Sequence, residues 1–380
     1  MIDRDELAAW LRLVATPGIG RDASRRLLAE FGSPQRALDA SIAARRPLVG
    51  RAAAGALAAT PPEFAARLAA TLAWLDARPA SNDSDGRDVL VLGDPRYPAS
   101  LLETADPPTL LYVEGRIGLL ANDAIAIVGS RNPTAQGLEN ARAFASHLSR
   151  AGLVVVSGLA LGIDGAAHEG ALEGEAEDGT GGTIAVVGTG LDRVYPARHR
   201  ALAHRIAATG LLVSEFPIGT ASRAENFPIR NRIIAGLARG TLVVEAAVRS
   251  GSLITARLAL EAGREVFAIP GSIHSPQARG CNALLKQGAK LVDSANDILE
   301  EFSLARPVPA DSSHAAEPAA RLGKADPVLA ALGFDPVSLD ALVARTGMTT
   351  AELSARLLDL ELAGRVARLP GQIFQRVERG

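Results

Sequence analysis

The stretch AIAIVGSRNPTAQG (124–137) decides the fold class, because it joins a run of apolar residues to a glycine-containing turn and then to a helix. Residues 124–128 are all apolar, as expected of a strand that is covered on both faces. Gly129, Ser130 and Arg131 follow at once, and 134–151 has a helical composition. A buried strand that leads through a tight turn into a helix is the repeating unit of a parallel α/β sheet.

The same strand–turn–helix unit recurs along the middle of the chain. Apolar runs occupy 88–92, 109–113, 124–129, 153–158, 183–188, 211–215, 241–246 and 265–269, and helical stretches occupy 134–151, 163–173, 198–209, 229–238 and 252–262. Continuous apolar strands that alternate with helices indicate a parallel sheet covered on both faces. We therefore predict an α/β fold with an extended Rossmann-like, doubly wound parallel sheet.

Two smaller units flank the sheet domain, which we place at 81–305. Residues 1–80 are rich in Ala and Leu and predict a helical domain of the SAM or helix-hairpin-helix type, with TPGIG (16–20) as its hairpin. That hairpin either presents backbone N–H groups to a phosphate or is a plain turn between helices. A Pro/Ser/Ala-rich linker spans 306–320, and 321–380 has the helix, turn, helix and two-strand pattern of a winged-helix-like domain.

The composition excludes several kinds of site. The 380 residues are 48% hydrophobic with a net charge of -2, so any nucleic-acid site must be a local basic cluster. The single cysteine, Cys281, rules out an internal disulfide, and the six histidines form no HExxH or HxxxH pair. We expect neither a metal nor a cofactor. Without an 18-residue apolar run or a signal-peptide pattern, a cytoplasmic chain with no membrane partner is predicted.

Small residues and arginines follow several of the predicted strands, at the sheet edge where doubly wound folds bind ligands. Backbone N–H groups at a helix start and a nearby arginine suit a phosphate, and an aromatic ring beside arginines suits a nucleic-acid base. The candidate binding residues are Gly129, Ser130, Arg131, Ser157, Gly158, Phe227, Arg230, Asn231, Arg232, Ser250, Gly251, Ser252 and Lys286. Together they predict a site for a polyanion or a nucleotide.

Each of these motifs also has a purely structural interpretation. The turn at 128–137 has the form of a generic strand-to-helix connection. Phe227 is equally compatible with a buried core residue, in which case the neighbouring arginines pair with Glu225 or Glu245. The small residues of 250–252 either form an anion-binding nest or simply begin a helix.

Other conspicuous residues favour structural roles. Asp164 is placed to cap a helix rather than to bind a metal, and His168 is expected to be packed in the interior. Tyr195 and the proline after it predict a rigid turn in which the tyrosine packs. GTG (188–190) begins like a dinucleotide fingerprint, but position 193 is arginine instead of the third glycine, so a nicotinamide cofactor has weak support.

Taken in order, the motifs resemble the DNA-processing protein A (DprA/Smf) family. They are VGSR, SGLALGID, GTGLDRVYP, FPIRNRIIAGL, VVEA, SGSLITA, VFAIPG and NALLKQGA, spread over about 125 to 291. The resemblance implies a recombination mediator rather than an enzyme: a homodimer that binds single-stranded DNA and loads the RecA recombinase in natural transformation. By motif match, it implies backbone-phosphate contacts from Ser130, Arg131, Ser157 and Gly158, base stacking on Phe227, a basic pocket from Arg230 and Arg232, and loop ordering by Asn231.

The chain departs from that family pattern at three positions. His199 stands where asparagine is frequent, Cys281 stands where threonine is usual, and Ala224 precedes the FPIRNR segment without a lysine nearby. The first two changes remove no charge, so we expect no loss of binding from them. The missing lysine before FPIRNR is expected to weaken binding. The C-terminal unit has seven basic and seven acidic residues over 324–380, so we expect it to bind a protein, or duplex DNA only weakly.

Two other functions are compatible with the sequence. One is a nucleotide N-glycosidase of the phosphoribohydrolase type on the same Rossmann core, with Glu245 as catalytic acid or base. That class carries a PGGxGTxxE loop, whereas PGS at 270–272 is not followed by GT and Glu. The other is a scaffold in which the winged unit docks a partner and the Rossmann site is unused.

Overall fold

The computed structural model describes residues 2–77, 85–174, 180–304, 326–333 and 336–377, and the predicted linker (306–320) lies outside them. The first segment is helical, with α1 (Arg4–Ala15), α2 (Arg21–Phe31), α3 (Pro34–Asp39), α4 (Ile42–Ala56) and α5 (Phe64–Asp76). Asp3 caps α1 by accepting hydrogen bonds from backbone N–H groups of the first turn. Gly18, between α1 and α2, has a φ of +81°, which glycine adopts readily, so TPGIG forms a tight hairpin.

In the part of the chain that the structure describes, the middle residues build a nine-stranded sheet. Its strands are β1 (Asp85–Val91), β2 (Leu110–Arg116), β3 (Ala124–Val128), β4 (Val154–Ser157), β5 (Thr183–Val186), β6 (Leu211–Ser214), β7 (Gly240–Val243), β8 (Glu265–Ala268) and β9 (Lys290–Leu291). The helices are α6 (Ala99–Leu102), α7 (Ala135–Arg150), α8 (Ile163–Glu173), α9 (Arg200–Thr209), α10 (Asn226–Leu237), α11 (Ser252–Glu261), α12 (Arg279–Lys286) and α13 (Asn296–Glu301). Every apolar run predicted to be a strand is one, and the two-residue β9 is additional.

The strand order is β1-β2-β6-β5-β4-β3-β7-β8-β9. From β3 the chain first adds β4, β5 and β6 on one side, and then crosses to the other side to add β7, β8 and β9, all of them parallel. The doubly wound parallel sheet is therefore confirmed for β3–β9, and its switch point lies between β3 and β7. There the connections leave in opposite directions and open a crevice at the carboxyl ends of the strands.

The first two strands correct the prediction of a wholly parallel sheet. β1 pairs antiparallel with β2, and β2 pairs antiparallel with β6. Only the four-residue α6 lies between β1 and β2, and this is less than the helical crossover that a parallel pair requires. The apolar composition of the two runs predicts burial correctly, but it does not set strand direction.

Strand β3 shows how the sheet is buried on both faces. Ala124, Ala126 and Val128 face a core built with α10, α11 and α12. Ile125 and Ile127 face the opposite core, built with α7, α8 and α13. Alternate residues of one strand thus enter two cores, which explains the unbroken apolar run.

The N-terminal helices pack against the antiparallel end of the sheet. Trp10 and Trp74 share a core with Val89 of β1 and Tyr112 of β2. The rings of Trp74 and Tyr112 meet edge to face, with their centroids 5.9 Å apart. This contact joins the helical unit to the sheet domain through apolar side chains.

The C-terminal segment is a winged helix, as predicted. It comprises α14 (Pro327–Leu332), β10 (Val337–Ser338), α15 (Leu339–Thr346), α16 (Thr350–Leu362), β11 (Val366–Leu369) and β12 (Ile373–Arg376). On α16, the second helix of the helix-turn-helix, Arg356 is paired with Asp326 at 2.5 Å, while Leu358 and Leu362 are exposed. The exposed side of α16 thus offers DNA phosphates no free arginine, and it carries the acidic Glu352 and Asp359 beside the two leucines.

Candidate nucleic-acid interface

A cavity of about 710 Å³ lies at the switch point between β3 and β7. Its walls come from the turns after β3, β4 and β7, from α10 and the first turns of α8 and α11, and from Tyr195, Ser222 and Gln277. Most of the predicted binding residues line it: Gly129, Ser130, Arg131, Phe227, Arg230, Asn231, Ser250, Gly251 and Ser252. The volume is in the range of sites that enclose a small-molecule-sized ligand.

Phe227 is surrounded by two arginines and a second aromatic ring. The guanidinium carbons of Arg131 and Arg230 lie 5.5 and 6.0 Å from the centre of its ring. The ring of Tyr195 is tilted against it at 5.5 Å. Since Phe227 is half-buried and lines the cavity, its remaining surface is available to a planar ligand group beside two positive charges.

Arg230 is a buried arginine held by backbone carbonyl groups. Only 3% of its surface is exposed, and its Nη1 donates to the carbonyl of Gly158 at 2.6 Å and to that of Val186. Its Nε donates to Oδ1 of Asn231 at 3.0 Å. Burial lowers the pKa of this guanidinium to about 10, against the opposing effect of Asp164, so it remains charged near neutral pH.

Asp164 supplies the negative charge nearest to that guanidinium. It lies in the first turn of α8, where its Oδ2 accepts from the backbone N–H of Ala160 at 3.3 Å. Gly162, without a side-chain bond to the helix, occupies the capping position, so the prediction that Asp164 is the cap is wrong. Burial raises the pKa of Asp164, while Arg230 and Arg131 oppose that shift.

The turn after β3 is built for close backbone packing. A Cβ on Gly129 would lie 2.6 Å from Ile163 and 2.9 Å from the carbonyl oxygen of Glu245, so a larger residue does not fit. The hydroxyl of Ser130 accepts from the N–H of Asn132 at 3.1 Å and closes the turn. Arg131 is exposed at the cavity wall and has no ion pair among the described residues.

The turn after β7 contributes hydroxyl groups and an arginine that sequence reasoning did not single out. The hydroxyls of Ser250 and Ser252 are 2.7 Å apart, and both line the cavity at the start of α11. Arg249, immediately before them, is exposed and also lines it. The sequence could have identified Arg249 as a candidate, because in RSGS it stands next to a turn of small residues at the end of a predicted strand.

Tyr195 differs from its predicted role as a packed turn residue. It is 48% exposed, contacts Phe227, and forms part of the cavity wall. Helix α10 also begins at Asn226, earlier than the predicted 229, so Phe227 lies in the first turn of the helix and not in a loop before it. The aromatic pair is therefore fixed by a helix on one side and a proline-containing turn on the other.

Four predicted site residues lie away from the cavity wall. Ser157 is fully buried and its hydroxyl donates to the carbonyl of Ile127 at 2.7 Å. Gly158 acts through its carbonyl, and a Cβ there would lie 2.4 Å from Nη1 of Arg230. Lys286, in the last turn of α12, is exposed and is not part of the cavity.

Arg232, the fourth of these residues, belongs instead to a charge network at the contact between the sheet domain and the N-terminal helices. Its Nη2 donates to Glu215 at 2.5 Å, and its Nε lies 3.3 Å from Asp106. Asp106 also accepts from Arg21 at 2.6 Å and Arg25 at 2.8 Å, both next to the N-terminal hairpin. Burial acts to raise the pKa of Asp106, but these arginines hold it below its ordinary value. The basic groups nearest the hairpin are thus used in a contact between domains.

Glu245 is hydrogen-bonded to Thr134, the residue that caps the start of α7. Its two oxygens accept from the N–H of Thr134 at 2.9 Å and from the hydroxyl of Thr134 at 2.5 Å, so it does not pair with a motif arginine. A Cβ on Gly137 would lie 2.4 Å from its carboxyl carbon. Burial raises the pKa of Glu245, and the Thr134 bonds oppose that shift. The carboxylate is absent from the cavity wall, so it is not placed to act as the acid or base of an N-glycosidase.

The histidines that drew attention have structural partners. His168 is fully buried, as predicted, with Nδ1 2.7 Å from the hydroxyl of Thr183. Burial lowers its pKa to about 3, so it is neutral. His199 lies 3.0 Å from the carbonyl of Leu159 through its Nδ1. The described residues include no cluster of three or more histidine, cysteine or acidic side chains able to hold a metal ion.

The other two departures from the family pattern, Cys281 and Ala224, lie in different surroundings. Cys281, on α12, is buried in the core with its sulfur 3.5 Å from the carbonyl oxygen of Val243. Ala224 lines the cavity. In the parts of the chain that the structure describes, no helix is both long and apolar enough to cross a membrane.

Fold and site together define a class: a Rossmann-type protein with helix-hairpin-helix and winged-helix units and an arginine- and aromatic-lined cavity at its switch point. Three family models match the chain. They are DNA recombination-mediator protein A at 88–303, the DprA winged helix domain at 312–372, and the DprA-like N-terminal HHH domain at 4–66. The chain belongs to the DprA/Smf family of DNA-processing proteins.

Relatives support this assignment over most of the chain. Protein Smf of Escherichia coli is 38% identical over 95% of this chain and 94% of its own length. DNA processing protein DprA of Streptococcus pneumoniae is 48% identical over 55% of this chain and 72% of its own. The X-ray structure of the S. pneumoniae protein superimposes with a TM-score of 0.65 at 35% identity, covering 79% of this chain and 98% of that one.

Proposed function

We propose that the switch-point cavity binds single-stranded DNA, with Arg131, Arg230 and Arg249 facing phosphates and Phe227 stacking on a base. The observation that carries the proposal is the Phe227 ring flanked by two guanidinium groups inside a cavity. Aromatic faces combined with a positive groove are what single-strand binders use. A duplex keeps its bases stacked against each other, so its bases offer Phe227 no free face.

We further propose that the chain is a recombination mediator that protects incoming single strands and loads RecA in natural transformation, within the cytoplasm. The family description as a DNA recombination mediator supports this role. A homodimer is part of the proposal. Its support is the resemblance to the DprA/Smf family, which implies a homodimer.

The proposed role is binding and not catalysis. Glu245, the acid that an N-glycosidase would require, has both oxygens bound by Thr134 and lies outside the cavity wall. Incubating the protein with nucleoside monophosphates should therefore release no free base. Base release that disappears in Glu245→Gln would favour the hydrolase instead.

Fluorescence anisotropy with labelled oligo-dT and a matching duplex, at low and moderate salt, tests the binding proposal. We expect preference for the single strand and a loss of affinity as salt rises, because phosphate contacts release counterions. Arg131→Ala should weaken binding, and the slope of log affinity against log salt should become shallower by about 0.7 for each phosphate that is no longer neutralised. Arg205→Ala is the matched control, since Arg205 is exposed on α9 and does not line this cavity. Equal affinities for Arg131→Ala and the wild type would contradict the assignment of the cavity.

RecA loading is tested separately. The lag before RecA assembles on single-stranded DNA should shorten when the protein is present, and the Arg131→Ala variant should restore the lag. Light scattering coupled to size-exclusion chromatography checks the homodimer. If the protein binds single-stranded DNA but the RecA lag is unchanged, the mediator proposal is refuted and the DNA-binding proposal stands.

A further inference from the structure

A second cavity adjoins the first one and shares two of its wall residues. It has a volume of about 620 Å³ and is lined by residues from the turn after β5, the start of α9 and the segment before α10. Tyr195 and Ser222 line both cavities, so the two volumes meet at these side chains. None of the residues predicted from the sequence to bind DNA belongs to the second cavity.

The second cavity is positively charged. Arg193, Arg200 and His204 line it, and Asp192 is its one acidic wall residue among the described residues. Asp192 is already engaged, because its Oδ1 accepts from the N–H of Gly219 at 2.8 Å and its Oδ2 lies 3.5 Å from Nε of Arg193. The acidic charge is thus used within the loop and does not neutralise the remaining wall.

Arg200 places a positive charge on the wall of the second cavity at the start of a helix. It is the first residue of α9, where the positive end of the helix dipole disfavours a cation. It is exposed and forms no ion pair with the described residues. His204 follows four residues later on the same helix, so both side chains lie on one face and line one cavity. An anion in the cavity would relieve the repulsion at this helix start.

Tyr195 stands at the boundary between the cavities. It is 48% exposed, and its ring lies 5.5 Å from that of Phe227. A base stacked against Phe227 and the next base along the strand would therefore meet aromatic surface on either side of the boundary. Stacking of successive bases on neighbouring aromatic rings is a recurrent feature of single-strand binding.

We propose that the cavity lined by Arg193, Arg200 and His204 is a second phosphate-binding subsite that continues the path of one DNA strand out of the switch-point cavity, with Tyr195 between them. This inference rests on the proposed function. It predicts that the protein contacts more nucleotides of one strand than the first cavity alone can hold. Arg200 and His204 contact phosphates only of oligonucleotides long enough to reach them.

The test is the dependence of affinity on oligonucleotide length. Anisotropy titrations of the full chain use labelled oligo-dT from about 4 to about 16 nucleotides, the range of site sizes of known single-strand binders. Wild-type affinity should rise with length and then level off. Arg200→Ala with His204→Ala should lower affinity for the longest oligonucleotide about tenfold, a change of roughly 1.4 kcal/mol, and leave the shortest unchanged. Arg205→Ala on the same helix should match the wild type at every length.

The outcomes separate this proposal from the one on which it rests. Wild-type protein that binds no oligonucleotide refutes the proposed function and the subsite together. Wild-type binding with an unaffected double variant refutes the subsite alone, with Arg131→Ala showing that the first cavity is in use. A double variant that weakens short and long oligonucleotides equally also overturns the subsite, because the change then acts on the first cavity.

Discussion

Replacing Arg230 with alanine should destabilise the sheet domain as well as weaken DNA binding. The side chain is 3% exposed, and its Nη1 donates to two backbone carbonyl groups, of Gly158 and Val186. Leaving a buried acceptor without its donor costs about 1–3 kcal/mol, so two acceptors give roughly 2–6 kcal/mol. The truncation also removes the cost of burying a guanidinium, which offsets part of that loss. We expect a net loss of about 3 kcal/mol in the free energy of unfolding.

The measurement is the thermal midpoint followed by circular dichroism. For a domain of this size a loss of about 3 kcal/mol corresponds to a fall of about 6–12 °C. Arg131→Ala is the matched control, since Arg131 lines the same cavity but is exposed and makes no such carbonyl contact. Its midpoint should stay within about 2 °C of the wild type. An unchanged midpoint for Arg230→Ala, or an equal fall for both variants, would refute the view that Arg230 fastens the strand ends.

Three other changes test separate parts of the molecule. Phe227→Ala should weaken oligo-dT binding by about 1–3 kcal/mol through reduced stacking, measured by anisotropy, while duplex binding changes less. Asp106→Ala should speed tryptic cleavage of the N-terminal helices and lower the thermal midpoint, because three arginines from two domains lose their shared partner. His168→Gln should flatten the loss of stability on acidification. Since the pKa of His168 falls from 6.5 to about 3 on folding, the unfolded chain alone takes up that proton, and stability declines from about pH 6.5 toward pH 3. Thermal midpoints of both proteins across that range check it.

Each of these has an outcome that would count against it. Full oligo-dT affinity in Phe227→Ala would remove base stacking from the site. Unchanged cleavage in Asp106→Ala would show that the apolar contact of Trp10 and Trp74 with the sheet suffices to hold the N-terminal helices. Parallel pH curves for His168→Gln and the wild type would assign the acid sensitivity to other groups.

The strands of the sheet were predictable because a strand buried on both faces has a continuous run of apolar residues. Strand direction was not predictable, since the apolar runs 88–92 and 109–113 resemble those of the parallel strands although no crossover helix joins β1 to β2. The short β9 carries only two residues and has no periodic signal.

The sequence predicted where in the fold the site lies, but it did not predict which contacts the individual side chains make. Turns at the ends of β3 and β7 had to meet at the switch point, and they do. The arginines of FPIRNR could not be told apart by composition. Arg230 and Arg232 are two positions apart on α10, so about 200° of helix rotation separates them. Arg230 lines the cavity, while Arg232 pairs with Glu215 and Asp106 at the contact with the N-terminal helices. Tyr195 joins the site through a contact with Phe227 across 32 positions of sequence, which no local pattern reveals.

The positive charge of the cavity comes from arginine without a single lysine among its wall residues. Of the chain's lysines, Lys286 and Lys290 lie elsewhere in the described structure. A guanidinium keeps its charge through the neutral range and is not a substrate for lysine acetylation. Lysine acetylation, which neutralises other DNA-binding surfaces, therefore has no target among the described wall residues of this cavity. The same property makes amine-directed dyes suitable labels for the binding assays, because they do not attach to the cavity wall.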